Sequence, residues 1–536
     1  MGQHSLNVVD ILLYLLQMVS SLVSKERGKT VSLYLLGGLF FFSFRYLVWS
    51  YLLPHMSQFG LKSNILLGWI LSSWFSILVF VVCTVPLFSS TLTWKELISE
   101  KYLRWLIISL IVLVTWQYSM YDYNFYVDAL HLFDRLLLLG LGGLAIFTPR
   151  LLPFFILQLV AILSQFQVGF SAAAYGGNIL AYDFLIGVVV LIYYRIGESH
   201  LRRYTILDSY AEASLPLYFS AYILGHYVSA GIYKILIGST WYDWVLHLNL
   251  QYLWLHYFNQ GWMSWVSLET AEGVASVFSS ASPFLALGTL LLELLCIFLF
   301  FFFFTAHLWF GGFLLFHVSF LALTGIFFFY WILIDAFLLI IWLSKNVNIS
   351  SSEAWAGVLL TVMFSVLVVP GPAWFQMPTA SVVEVSATTL EGKEVVLPWS
   401  AYHPYDYHVM KESIGSLSNV SRIDGFNANI RSYSPVILQA STEEQVEGLY
   451  YLYGETSSSD QRVTEIQAWL ESLRQKPDVF FNDVPTLHHS YYRQGSLKSD
   501  DTMCDVSVWH TRYSYVNNTI SVLDTTKVYE KRFDCA

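Results

Sequence analysis

The chain has 536 residues, of which 56% are hydrophobic, 18% aromatic and only 12% charged, with a formal net charge of −10. A soluble domain carries roughly 25% charged residues, so a wholly water-soluble fold is excluded: apolar surface on this scale needs lipid as part of its solvent. The acidic balance argues against nucleic acid as a partner, because phosphate binding calls for a basic surface.

The charge is unevenly spread. Residues 1–371 sum to −2 and residues 372–536 to −8. An apolar membrane region therefore precedes an acidic, water-soluble C-terminal domain. Within the first 29 residues, the apolar run 6–24 carries Asp10 and lacks an A-x-A cleavage site, which predicts an interfacial or first amphipathic helix rather than a signal peptide. The membrane region then runs from 30 to 371.

Apolar runs long enough to cross a bilayer fall at 32–53, 65–88, 103–120, 128–147, 151–166, 180–197, 213–237, 283–304, 306–323, 326–344 and 355–371. Almost no polar residue separates the 283–304 run from the next, so the expectation is a polytopic α-helical membrane protein of about 9–11 transmembrane helices. With the N-terminus in the cytoplasm, the cytoplasmic loops hold Lys25, Arg27, Lys29, Lys95, Lys101, Arg104, Arg150, Arg195, Arg202, Arg203 and Lys345, and the opposite loops hold only Lys62. That bias follows the positive-inside rule. It places the C-terminal domain outside the cytoplasm, in a periplasm, at the cell exterior or in the lumen of the endoplasmic reticulum.

Residues 238–282 form an aromatic-rich, extracytoplasmic segment that includes Trp241, Trp244, Trp254, Trp262 and Trp265. Two readings fit it: an aromatic belt at the headgroup level, and a lid over a cavity that opens outward. The domain at 372–536 reads as mixed, mostly β. Residues 381–397 alternate around a Glu391-Gly392 turn, and 503–533 alternate around Asn517-Asn518, which predicts two hairpins. Helices are expected near 442–453 and 460–475. Cys504 and Cys535 can pair if that domain faces an oxidising compartment. His403, His408, His488, His489 and His510 form no zinc spacing and no metal is expected; Walker A, GxGxxG, HExxH and GxSxG patterns are absent.

Ionisable side chains inside the apolar runs carry the chemistry. Each costs about 2.5–3.5 kcal/mol at the centre of a bilayer and so needs a partner, a cavity or a function. Arg45, Asp134, Arg135, Glu293 and Asp335 all lie in such runs. Lys234 ends the run Tyr227-Val-Ser-Ala-Gly-Ile-Tyr-Lys, in which Ala230 and Gly231 let another helix approach closely. A desolvated lysine can serve as a general base; equally, Lys234 can snorkel to the interface or pair with Glu293. His317, in Leu-Phe-His-Val-Ser-Phe, reads either as a neutral interhelical hydrogen-bonder or as part of a polar pocket shared with Glu293 and Lys234.

The run Tyr227…Ala230-Gly231-Ile232-Tyr233-Lys234 with Trp241 resembles the Y-x-x-A-G-x-x-K…W segment of the vitamin K-dependent γ-carboxylase family, which contains the horizontally transferred transmembrane (HTTM) domain. Glu293…Phe316-His317…Gly325-Ile326-Phe327 resembles the later E…F-H…G-x-F segment of that family. The resemblance covers roughly residues 30–345. It implies that Lys234 deprotonates reduced vitamin K or a related quinol, whose reaction with O2 gives a strong base and finally the epoxide. That base removes a γ-proton from glutamate and CO2 adds to the carbanion.

On this resemblance the catalytic residues are Lys234, Glu293 and His317, and Tyr227, Trp241, Phe327 and Tyr330 bind the quinone. The implied protein is a quinol- and O2-dependent, carboxylase-like enzyme with O2 and CO2 as co-substrates, acting on a secreted peptide or a small molecule. The alternative is a non-catalytic membrane partner for maturation, export or binding of a secreted peptide. One segment departs from the family. Its Asn-Asn-His run is replaced by Tyr121-Asp122-Tyr123-Asn124-Phe125, with His131 seven residues beyond Asn124. The resemblance therefore bears on the fold more directly than on the substrate.

Overall fold

A backbone in hydrocarbon must satisfy its own hydrogen bonds, so apolar runs of this length become helices. The computed structural model describes residues 25–58, 64–88, 92–120, 132–169, 179–201, 214–236, 240–259, 266–302, 305–324, 328–344, 349–367, 379–396, 444 and 503–533. The expected N-terminal helix at 6–24, the expected helices at 442–453 and 460–475, Asn124, His131, Phe327 and Cys535 lie outside the described residues.

In chain order the main helices are α1 (Lys25–Tyr46), α2 (Leu53–Ser57), α3 (Ile65–Ile70), α4 (Trp74–Thr84), α5 (Trp94–Leu97), α6 (Lys101–Met120), α7 (Leu132–Phe147), α8 (Leu152–Gly169) and α9 (Ile179–Leu201). They continue with α10 (Ser214–Leu236), α11 (Asp243–His247), α12 (Leu250–Asn259), α13 (Leu268–Leu295), α14 (Ala306–Thr324), α15 (Phe329–Ser344) and α16 (Ser351–Leu367). Among the described residues, five stretches are long and apolar enough to cross a membrane: Tyr34–Ser57, Lys101–Ser119, Leu180–Gly197, Leu268–Phe300 and Ala306–Leu323. Trp74–Phe88, Pro149–Ser164, Phe329–Ser344 and Ser351–Leu367 are shorter apolar helices.

Three boundaries differ from the sequence expectation for local reasons. The run 65–88 is two helices, because Ser73 leaves the helix and its hydroxyl caps the next one, accepting from the Ser76 amide at 3.1 Å. α1 does not continue as a plain α-helix: Leu47–Leu52 is a π-helical turn, which brings Trp49 towards the core. The run expected to begin at 283 begins at Leu268, where Ser267 caps the helix, and α13 passes through Pro283. The aromatic segment is therefore shorter than 238–282. It contains α11 and α12, and α12 is tied to α13 by the Leu250 amide donating to the Ser282 hydroxyl at 3.0 Å.

Packing centres on α10, which lies against α16, α13 and α15, while α16 in turn packs on α1. At Gly225 a Cβ atom would stand 2.8 Å from Phe364 Cβ and 3.2 Å from the backbone of Ser365, so glycine is what permits the α10–α16 approach.

The C-terminal chain forms an antiparallel sheet of β1 (Thr379–Thr389), β2 (Glu394–Val396), β3 (Met503–Ser514) and β4 (Ser521–Arg532), in the order β2-β1-β3-β4. Both hairpins fall where the sequence placed them. Gly392 takes φ 77°, and Asn517 and Asn518 take φ 57° and 61°, the left-handed conformations such turns need. The tip of the β3–β4 hairpin docks on the helices: Tyr513 and Tyr515 pack with Trp254, Leu255 and Ala275, and the Tyr515 hydroxyl meets His256 Nδ1 at 2.9 Å. Burial there holds the Tyr515 hydroxyl well above the ordinary tyrosine range. Cys504 is disulfide-bonded, whereas Cys83 and Cys296 are free and buried.

Candidate functional site

Tyr227, Gly231 and Lys234 recur at the i, i+4, i+7 spacing that makes one stripe along a helix. Gly231 and Lys234 face α13, and Tyr227 faces α14 and α15. A Cβ atom on Gly231 would stand 2.9 Å from Leu294 Cδ2 and 3.2 Å from Glu293 Cβ, so the glycine sets how near the two helices come. The approach brings the Lys234 ammonium onto Glu293 Oε1 in a direct ion pair. Both residues are buried, at 7% and 4% exposure. We expect Gly231→Val to force α10 and α13 apart and to cost about 1–3 kcal/mol, the usual penalty for overpacking. A lowered thermal unfolding midpoint in detergent checks this.

Trp244 closes one side of the pair. Asp243, the first residue of α11, ties down the turn that leads into it, the Thr240 amide donating to Asp243 Oδ2 at 2.8 Å. So anchored, α11 presents Trp244, whose ring centroid lies 4.9 Å from Lys234 Nζ. A desolvated cation over an indole face gains about 2 kcal/mol.

A second group of polar side chains joins from α14 and α15. Asp335 is fully buried, and its Oδ2 accepts the Tyr227 hydroxyl at 2.7 Å. His317 Nδ1 stands 3.2 Å from the same oxygen, within ion-pair distance though off the hydrogen-bond line. Tyr227 stacks on Phe313, with ring centroids 3.4 Å apart and planes 2° from parallel. Trp331 covers the other side, 5.3 Å from Tyr227 and 5.5 Å from His317. The Cys296 thiol donates to the Glu293 carbonyl oxygen at 3.1 Å.

Two carboxylate oxygens in this cluster, Glu293 Oε2 and Asp335 Oδ1, are buried and have no hydrogen-bond partner among the described residues. Leaving a buried acceptor unpaired costs about 1–3 kcal/mol, more when it is charged, and proteins rarely tolerate it without a reason such as a bound group. The site thus combines a buried amine, two carboxylates with spare acceptors, an imidazole and an aromatic surround. The groups fall into two adjoining sets, Lys234 with Glu293 and Tyr227 with Asp335 and His317.

The structure brings together four of the residues picked out from the sequence: Lys234, Glu293, His317 and Tyr227. Two others stand apart. Trp241 is 62% exposed and meets Tyr242 edge-on, so the indole at Lys234 belongs to Trp244, three residues further along. Tyr330 is buried, and its hydroxyl donates to Gln117 on α6 at 2.9 Å. Asp335 was visible as an intramembrane charge; its closure of the site through His317 was not, because nothing in the sequence pairs α14 with α15 at that register.

The sequence reading also missed Asp183. This fully buried carboxylate on α9 accepts from Arg45 Nε at 2.8 Å, from Trp49 Nε1 at 2.7 Å and from the Tyr222 hydroxyl. Arg45 supplied the signal, as an intramembrane cation that needed an anion.

Comparison of the chain with family models, with curated proteins and with solved structures found no match.

Proposed function

We propose that this chain is a membrane enzyme in which Lys234 acts as a base towards a lipid-soluble quinol, after the fashion of the vitamin K-dependent γ-carboxylase-like proteins it resembles. The observation that carries the reading is the buried Lys234–Glu293 pair with an unpaired Glu293 Oε2 beside it. An ammonium cannot accept a proton, so a lysine base must first give one up. Glu293 is placed to take it: in a medium of low dielectric an ion pair and its neutral amine–acid counterpart approach each other in energy, because desolvation penalises both charges.

The residues present fit such a quinol. Trp244, Phe313 and Trp331 offer flat apolar faces, and Glu293 Oε2 and Asp335 Oδ1 can accept from its hydroxyls. When bound and deprotonated, reduced vitamin K or a related quinol supplies, with O2, the strong base that allows a C–H proton to be removed and CO2 to add. Lys234 holds or takes the proton at Nζ, Glu293 exchanges it, and His317 with Asp335 keeps the neighbouring carboxylate oriented. The packed aromatic shell excludes water, which would quench a strong base.

In this reading the N-terminus is cytoplasmic, and the sheet and the α11–α12 segment lie on the opposite side. The loop-charge bias supports that orientation. So does the disulfide at Cys504, since such bonds persist in oxidising compartments. A secreted peptide or a small molecule would then approach from the sheet side.

The test is conversion of reduced vitamin K to its epoxide by the purified protein under O2, followed by chromatography. Loss of a positioned general base costs typically about 10²–10⁴-fold in rate, and Lys234→Ala is expected to show a loss of that order. Epoxide formation unchanged by the substitution removes Lys234 from the mechanism. No epoxide from the wild-type protein overturns the quinol reading and leaves the binding or export role.

A further inference from the structure

The base chemistry does not use Tyr222 or His226, yet with Trp331 these side chains form an unbroken line away from the site. The Tyr227 hydroxyl rests on Asp335 at 2.7 Å, and its ring lies 5.3 Å from Trp331. Trp331 meets His226 edge-on at 5.4 Å, and His226 meets Tyr222 edge-on at 4.8 Å. Tyr222 then donates to Asp183. The line begins and ends in a tyrosine whose hydroxyl is held by a fully buried carboxylate.

Packing alone does not call for this pattern. A buried phenol is satisfied by any carbonyl or amide acceptor, and a carboxylate is among the most expensive partners to place in an apolar interior. A carboxylate has one property those acceptors lack: it can take the phenol's proton as an electron leaves. Oxidising a buried tyrosine without that transfer would create an unsolvated cation. The indole between the two phenols bridges the electron's path and divides it into shorter steps.

We propose that Tyr227, Trp331 and Tyr222 form a relay that carries a one-electron oxidising equivalent from the Lys234 site to the Asp183 cluster. The proposal rests on the reading of that site as one where O2 meets a quinol, because the oxidant it takes up is an oxygen-centred organic radical. In the first step the radical gains an electron from Tyr227 and becomes its anion, while the phenol proton moves from Tyr227 Oη to Asp335. In the second, Tyr222 gives an electron by way of Trp331 to the Tyr227 radical. Tyr227 recovers its proton from Asp335, and the Tyr222 proton moves to Asp183. One electron and one proton are conserved in each step, and the radical ends on Tyr222, away from the reacting groups.

The experiment uses the full chain in nanodiscs with a lipid-soluble anthraquinone, photo-excited to act as the oxidant, followed by rapid freezing and electron paramagnetic resonance. Turnover is not required, so a protein that fails to epoxidise a quinol can still show the relay, and the reverse. Ring-deuterated tyrosine identifies the radical type. Because the chain has 35 tyrosines, substitution must locate the radical. The expected result is a tyrosyl signal in the wild type that is largely lost in Tyr222→Phe and in Trp331→Phe. A wild type without a tyrosyl signal overturns the relay, as does an undiminished signal in Tyr222→Phe. Tyr222→Phe removes one oxygen only, so it decides the question even if Trp331→Phe does not fold.

Discussion

Glu293→Gln is expected to lower stability by about 3–5 kcal/mol, the penalty for stranding one member of a buried ion pair. The cause lies on Lys234. It has 7% exposure, and the Trp244 ring lies 4.9 Å from its Nζ. The substitution leaves an ammonium without its counter-charge, and the lysine must either keep a costly charge or lose its proton. Denaturant titration in detergent measures the first effect. The double variant Lys234→Met with Glu293→Met then separates structure from chemistry. Replacing a whole buried pair by apolar groups of similar volume is neutral to stabilising, by about 1–4 kcal/mol. The double variant should therefore recover the fold and remain inactive. A double variant that is both stable and active would show that the pair serves packing alone.

Asp183→Asn is expected to cost a similar amount, about 3–5 kcal/mol, for the same electrostatic reason with an added geometric one. Asp183 accepts from three donors, Arg45, Trp49 and Tyr222. An asparagine offers one oxygen, and its NH2 group must face a donor. At least one N–H or O–H is then left unpaired in the interior, at a further cost of about 1–3 kcal/mol. Arg45 has 14% side-chain exposure and is the member able to relax outward. That relaxation softens Asp183→Asn, whereas Arg45→Met strands the fully buried Asp183 carboxylate and should be the more costly change; the ranking of the two variants in thermal unfolding checks the assignment. Equal losses would mean that Arg45 does not relax outward.

Much of the architecture was readable because its determinants are local. Helix-forming runs announce themselves by apolar length, and the two hairpins by Gly392 and by Asn517-Asn518 at their turns. Boundaries failed where one side chain decides them: the Ser73 cap divides the 65–88 run, and the Ser267 cap starts α13 well before its most apolar part.

The site was readable in proportion to the cost of its residues. Lys234 and Glu293 stand out because a bilayer penalises charge, and Gly231 marks the close approach that joins them. Trp244 did not stand out, because one indole in a tryptophan-rich stretch looks like another until the Thr240–Asp243 bond fixes the turn into α11 and with it which of them faces inward. Asp183 escaped notice even though Arg45 called for it. Its partners come from α1, the π-helical turn and α10, a convergence of distant segments that no local pattern encodes.

The π-helical turn at Leu47–Leu52 has a consequence for how this protein tolerates change in length. A helix that takes in one extra residue per turn is rotated by about 100° in phase beyond that point. Asp183 grips Arg45 before the slip and Trp49 within it. Removing a single residue between them would restore an even winding and swing one of the two donors away from the carboxylate. The segment should therefore accept many substitutions at its exposed positions and no single-residue deletion, so its length is under tighter constraint than its composition.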